Sequence, residues 1–203
     1  YLSSIVIVPG FMNTELTVQN WGPFLASYGI VTMTIGTNAL TDSEFQRRDA
    51  LIDAIISLKD EHNRSLSPLC GRLNTSSISV GGFSKGGGGA QLVAKLDSSI
   101  KAVVALYPFI DNPIVSDFDH NIPTLIISGQ LDVIAPPAQH ADIFYDLIPN
   151  STKKLKYELA LGTHDALSGP FGGLNQVGEM RTEVDGKWMP FTAKQYFNTE
   201  SLS

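Results

Sequence analysis

Residues 78–90 read Ile-Ser-Val-Gly-Gly-Phe-Ser-Lys-Gly-Gly-Gly-Gly-Ala, an apolar run passing into Gly82-Phe83-Ser84-Lys85-Gly86 and then into further glycine. A serine framed by glycines two places before and after it, between a strand and a helical stretch, has the pattern of a nucleophile elbow. The chain must reverse sharply at that serine, and residues without a Cβ permit the reversal. The chemistry open to Ser84 is attack on a carbonyl carbon, provided that a base takes its proton and a carboxylate orients the base. The helical run Gln91-Leu-Val-Ala-Lys-Leu96 that follows distinguishes the segment from a chance glycine turn.

The chain has four histidines. His62 precedes Ser84, against the order serine, acid, histidine that goes with such an elbow. His120 lies in a polar run before an apolar segment, at the wrong end of a strand, and His140 falls in an amphipathic helical stretch that suits a solvated or capping role. His164, in Leu161-Gly-Thr-His-Asp165, follows the alternating segment 155–161 and so sits on a loop at a strand's carboxyl end. It is the candidate base. Asp132, in the loop after the apolar segment 123–128, is the candidate acid. Asp165 beside the histidine and Asp111 after the segment 101–106 are its rivals. Ser84, Asp132 and His164 are spaced widely enough for a helical crossover between successive parallel strands. The oxyanion of an acyl-transfer intermediate needs two N–H donors. Lys85, opening a helix, supplies one, and Phe11, in the loop after the strand Ser4–Val8, supplies the other.

These residues require a parallel sheet to bring their loops to one edge. Apolar runs at 4–8, 30–35, 77–81, 102–106 and 124–128 read as strands covered on both faces, with 155–161 as a sixth, more alternating one. Helical stretches at 17–28, 43–60, 86–97 and 137–148 separate them. The second places Leu51, Ile55 and Leu58 on one stripe behind an N-cap at Thr41-Asp42-Ser43, and the last begins after Pro136-Pro137. The pattern predicts an α/β-hydrolase fold, a mainly parallel sheet with helices on both faces, as a single catalytic domain over residues 1–203. The short interval between 106 and 123 leaves no room for a cap domain. Net charge is −6, which gives no basic footprint for nucleic acid. No apolar run is long enough to span a bilayer, no signal peptide is visible, and the acidic residues are too scattered for a metal site. No cofactor is expected. Cys70, the single cysteine, rules out an internal disulfide and reads as structural in its turn.

The stretches Ile5-Val-Ile-Val-Pro-Gly-Phe11, Trp21-Gly-Pro-Phe24, Thr34-Ile-Gly-Thr-Asn38, Gly82-Phe-Ser-Lys-Gly-Gly-Gly-Gly89, Tyr107-Pro-Phe109, Asp132-Val-Ile-Ala-Pro136 and Gly162-Thr-His164 occur in this order. Over residues 4 to 166 the chain resembles the bacterial cutinases and poly(ethylene terephthalate) hydrolases. The resemblance implies a secreted carboxylester hydrolase of polyesters and short acyl or aryl esters, and a monomer is expected. It also implies the triad Ser84, Asp132, His164 and an oxyanion hole at Phe11 and Lys85. The substrate cleft would be lined by Phe11, Phe83, Lys85 and Phe109, with Ile134 as its apolar floor.

The chain departs from the family's pattern in three ways. Lys85 replaces an uncharged residue or histidine after the nucleophile, so it would pair with an acidic neighbour, favour anionic esters, or point into solvent. Phenylalanine stands at positions 11, 83 and 109, where the family tends to have tyrosine or tryptophan. Roughly two strands that the family places before Ser4 are missing, so the chain is either a segment of a longer protein or a pared-down sheet with an open edge. Towards the C-terminus, Met180–Val184 and Lys187–Pro190 flank Asp185-Gly186, a hairpin signal. Trp188 would stack on substrate from a flap or, with Met189, bury against the core, and residues 169–178 read as mobile. Two other functions fit the same residues: hydrolysis of small soluble esters, and binding without catalysis on a hydrolase scaffold.

Overall fold

Strands that bury both faces must be apolar at every position, and the first strand shows it. In β1 (Leu2–Val8) Ile5 and Ile7 pack on one face and Val6 and Val8 on the other, and all four are buried. The computed structural model describes residues 1–165, Leu167 and the backbone of Arg181–Val184 and Lys187–Pro190. β1 joins β2 (Val31–Thr34), β3 (Leu73–Phe83), β4 (Ile100–Leu106), β5 (Thr124–Gly129) and β6 (Lys154–Leu159) in one all-parallel sheet of order β2-β1-β3-β4-β5-β6. All six expected strands are present, some longer than their apolar runs. This is the α/β-hydrolase arrangement of sheet and crossover helices.

The crossovers divide between the faces. α1 (Trp21–Ala26) lays Trp21 and Leu25 against the Ile5–Ile7 side. On the Val6–Val8 side lie α2 (Glu44–Asn63), α3 (Lys85–Val93) and α5 (Ala141–Leu147). α2 starts at a capping box. The Ser43 side chain accepts from the Gln46 N–H at 3.3 Å, and the Gln46 side chain accepts from the Ser43 N–H at 2.8 Å. Its stripe Leu51, Ile55 and Leu58 is fully buried as expected. Between β4 and β5 only the short α4 (Val115–Phe118) intervenes, so the described residues contain no cap there.

The helix expected over 137–148 is split. Pro137–Gln139 form a 3-10 turn, the backbone leaves helical geometry at His140 (φ −132°, ψ −76°), and α5 begins after it. Cys70 is exposed, so it packs no core. The C-terminal hairpin is present, with β7 (Arg181–Val184) antiparallel to β8 (Lys187–Pro190). The side chains of Trp188 and Met189 and residues 169–178 lie outside the described residues.

At the sheet's amino edge, just ahead of β5, His120 is buried. Its Nδ1 accepts the Ile122 N–H at 3.2 Å, so the ring proton is on Nε2. Nε2 lies 2.6 Å from the Gln91 side-chain amide, which must present its oxygen there, giving an otherwise unpartnered buried oxygen its donor.

Candidate active site

Parallel strands all end at one edge, and the loops after β1, β3, β4, β5 and β6 bring the candidate residues there. Ser84 sits between β3 and α3 with φ 55° and ψ −123°, a conformation that costs a residue with a Cβ of order 1–3 kcal/mol. The surroundings hold it. The Ser84 N–H donates to the Leu106 carbonyl at 2.9 Å, and its own carbonyl accepts from Gly88 N–H at 3.1 Å and Phe109 N–H at 3.0 Å. A Cβ on Gly82 would stand 2.1 Å from the Gly86 carbonyl oxygen, and one on Gly10 would stand 2.8 Å from Ser84 Cβ. Glycine at 82 lets the elbow close, and glycine at 10 lets the loop after β1 lie directly on Ser84.

His164 Nδ1 is 2.7 Å from Asp132 Oδ2. The other carboxylate oxygen accepts from the N–H groups of Ile134 at 2.9 Å and Ala135 at 2.7 Å. Asp132, its side chain fully buried, is thereby locked in its own loop. With three donors on the carboxylate, Nδ1 carries the ring proton and Nε2 keeps the lone pair that a base needs. Among the rivals, Asp111 points to Lys85 instead. No hydrogen bond joins the Ser84 hydroxyl to the imidazole among the described residues, a common condition of such sites before substrate binds.

Beneath the imidazole lie two rings. Phe83, expected in the cleft wall, is 1% exposed with its centroid 5.0 Å from the His164 ring. As the last residue of β3 it turns its side chain into the core below the imidazole rather than into the cleft. Tyr107 is fully buried 6.0 Å from the same ring, at φ 47°. Burial pushes its phenol up, and the carboxylates of Asp132 and Asp165 reinforce this, so it remains protonated.

The N–H groups of Phe11 and Lys85 enter no backbone hydrogen bond among the described residues, which leaves both available to an incoming oxygen. The Lys85 side chain is largely covered and its ammonium is paired. Its ammonium lies 3.0 Å from Asp111 and 3.4 Å from Glu44, and 5.6 Å and 5.3 Å from the ring centroids of Phe11 and Phe109. Glu44 is buried, and its other oxygen accepts the Asp111 N–H at 3.0 Å. Burial alone would lower the Lys85 pKa, but the Asp111 hydrogen bond and the two carboxylate charges outweigh it and raise it. Of the readings the sequence leaves open, pairing with acidic neighbours is the one realised, and the cluster as a whole carries one net negative charge.

Phe11 and Ile134 are exposed, 44% and 56%, and Phe109 is half-buried, so an apolar surface remains beside Ser84. His140 is largely withdrawn from water. It is buried at the N-cap of α5 without a side-chain capping bond, and it stacks on Phe109 with centroids 4.3 Å apart at 29°. Burial lowers its pKa against the pull of Asp132 and Asp111, so it is held neutral. Its signal in the sequence was the proline pair, which closes a 3-10 turn rather than starting a long helix.

The profile of a family described as PET hydrolase-like matches residues 1–181. The chain belongs to that family. It is 36% identical over 167 residues to Cutinase 1 of Thermobifida cellulosilytica, covering 82% of this chain and 62% of that one. With Cutinase est1 of Thermobifida alba it shares 35% over 184 residues, 90% of this chain and 60% of the relative. A bis(hydroxyethyl) terephthalate hydrolase of Streptomyces coelicolor is 35% identical over 161 residues, 79% of this chain and 50% of the relative. This member of the PET hydrolase-like family therefore spans between half and two thirds of the length of these relatives.

Proposed function

We propose that the chain is a serine carboxylester hydrolase of the cutinase and polyesterase type, acting as one catalytic domain through an acyl-serine. The observation that carries the proposal is the 2.7 Å His164–Asp132 pair at the same sheet edge as the strained Ser84. Ser84 Oγ attacks the ester carbonyl while His164 Nε2 takes its proton, and Asp132 offsets the imidazolium. The oxyanion is received by the N–H groups of Phe11 and Lys85, with the α3 N-terminus behind the second. His164 then protonates the departing alcohol, and the acyl-serine forms. Water, deprotonated by His164, attacks the acyl carbon, and Ser84 leaves with the proton to release the acid. The scheme uses no cofactor.

The exposed Phe11 and Ile134, with no cap between β4 and β5, suit a bulky aryl ester or a polymer chain rather than an enclosed small molecule. The names of the relatives, cutinase and bis(hydroxyethyl) terephthalate hydrolase, support the same class. We propose secretion on the same resemblance, and among the described residues no helix is long and apolar enough to cross a membrane. Assay of p-nitrophenyl butyrate and of polyester film tests the reading. Both should be hydrolysed, and Ser84→Ala should abolish both. Turnover of the soluble ester alone would narrow the substrate class to small esters. Turnover that survives Ser84→Ala would refute the mechanism.

A further inference from the structure

Among the described residues the largest side chain without solvent exposure is charged: Arg47, on the stripe of α2 that faces the core. Removing a guanidinium from water costs several kcal/mol unless its donors are used. Here they are used on backbone. Nη1 donates to the Pro9 carbonyl at 3.0 Å and to Thr37 Oγ1 at 3.4 Å, Nη2 to the Leu40 carbonyl at 3.0 Å, and Nε to the Asp42 carbonyl at 3.2 Å. Burial lowers its pKa while the charges of Asp42 and Glu44 oppose the shift.

The Pro9 carbonyl belongs to the loop after β1, which carries Phe11. The same guanidinium acts on the far side of Phe11 through one intermediary. The Met12 N–H donates at 2.8 Å to the Leu40 carbonyl, which also accepts from Arg47 Nη2. Met12 has φ 56°, so this loop is strained and needs holding. Its front surface, at Gly10, rests on Ser84. Phe11 is thus bracketed from behind by one planar fork and in front by the nucleophile.

Resting on the ester-hydrolase reading, we infer that Arg47 is a positioning residue of the oxyanion hole, fixing the direction of the Phe11 N–H without touching substrate. An oxyanion donor helps only when aimed in advance at the place where negative charge develops. The planar fork joins three carbonyls at fixed angles, which a lysine ammonium cannot do, so Arg47→Lys preserves the charge and loses the geometry.

The test measures turnover per competent site, titrated with a stoichiometric organophosphonate, so that any unfolded fraction drops out. Arg47→Lys should lower per-site kcat by about 10- to 100-fold with a smaller change in KM. The rate ratio between an ester and its thionoester, whose sulfur makes poor use of an oxyanion hole, should shrink alongside. A per-site kcat and a ratio within about twofold of wild type would overturn the assignment, since a merely structural role changes only the number of sites. If Arg47→Lys yields no titratable protein, Thr37→Val decides. A fewfold lower per-site kcat with a reduced ratio supports the inference, and no change in either overturns it. If the wild type itself takes up no phosphonate, the hydrolase reading falls first and this inference with it. Titratable wild type with unaffected variants removes Arg47 alone.

Discussion

One position after Ser84, Lys85 would be a free cation beside the candidate site were it not claimed by Asp111 and Glu44. The difference matters for stability as well as binding. Glu44 is buried, with no hydrogen-bond partner for its Oε2 beyond the ion pair, so removing the lysine strands a carboxylate in the interior. Lys85→Met should therefore destabilise the fold by about 3 kcal/mol, whereas adding Glu44→Gln should recover most of the loss. Urea unfolding of the two variants measures this, and a harmless single substitution would contradict the buried-pair reading. The chain order of serine, acid and histidine made the candidate triad legible, but not this pairing. Glu44 and Asp111 come from other crossovers, and no local pattern joins them to position 85. Phe83 was misplaced for a different reason. The family resemblance assigns it to the cleft wall, but a strand's last residue points to one face of the sheet or the other, and here it points to the core. Arg47 did leave a signal. Counting back four from Leu51 along the buried stripe of α2 reaches it, and a charge on a core stripe has to be satisfied internally.

At the scale of elements, the helix–sheet contact on the α3 side contains a titratable group that serves no chemistry. His120 links α3, through Gln91, to the segment entering β5, and it does so as a neutral ring. Burial lowers its pKa, Lys95 lowers it further, and Asp119 opposes. The unfolded chain therefore takes up the proton first as pH falls through about 6.5, and stability should decline from there down to the folded-state value. His140 contributes with the same sign, so the diagnostic quantity is a difference. Between pH 7.5 and 5 (a range set by the ordinary histidine value of about 6.5), Tm should fall more for the wild type than for His120→Gln. Equal slopes would show that His120 accepts a proton in the fold without cost. The strands themselves were legible because β-branched apolar runs between turns have few alternatives. The helix over 137–148 was not, because a proline pair is equally compatible with a 3-10 turn, and the difference is decided by where His140 packs.

Across the whole molecule, one parallel sheet converts distant chain positions into a single edge. Its order places β3, leading into Ser84, near the middle, with β1 on one side for the Phe11 loop and β4, β5 and β6 on the other for Phe109, Asp132 and His164. The α/β pattern of the sequence specifies that convergence, but only side-chain packing sets the cleft's charge and shape. The measurement that bears most directly on the account is intact-mass and peptide analysis after exposure to a fluorophosphonate. One phosphonyl group per folded chain is expected, carried on Ser84, with labelling lost in Ser84→Ala. Folded protein that remains unlabelled, or that is labelled at another residue, would contradict it.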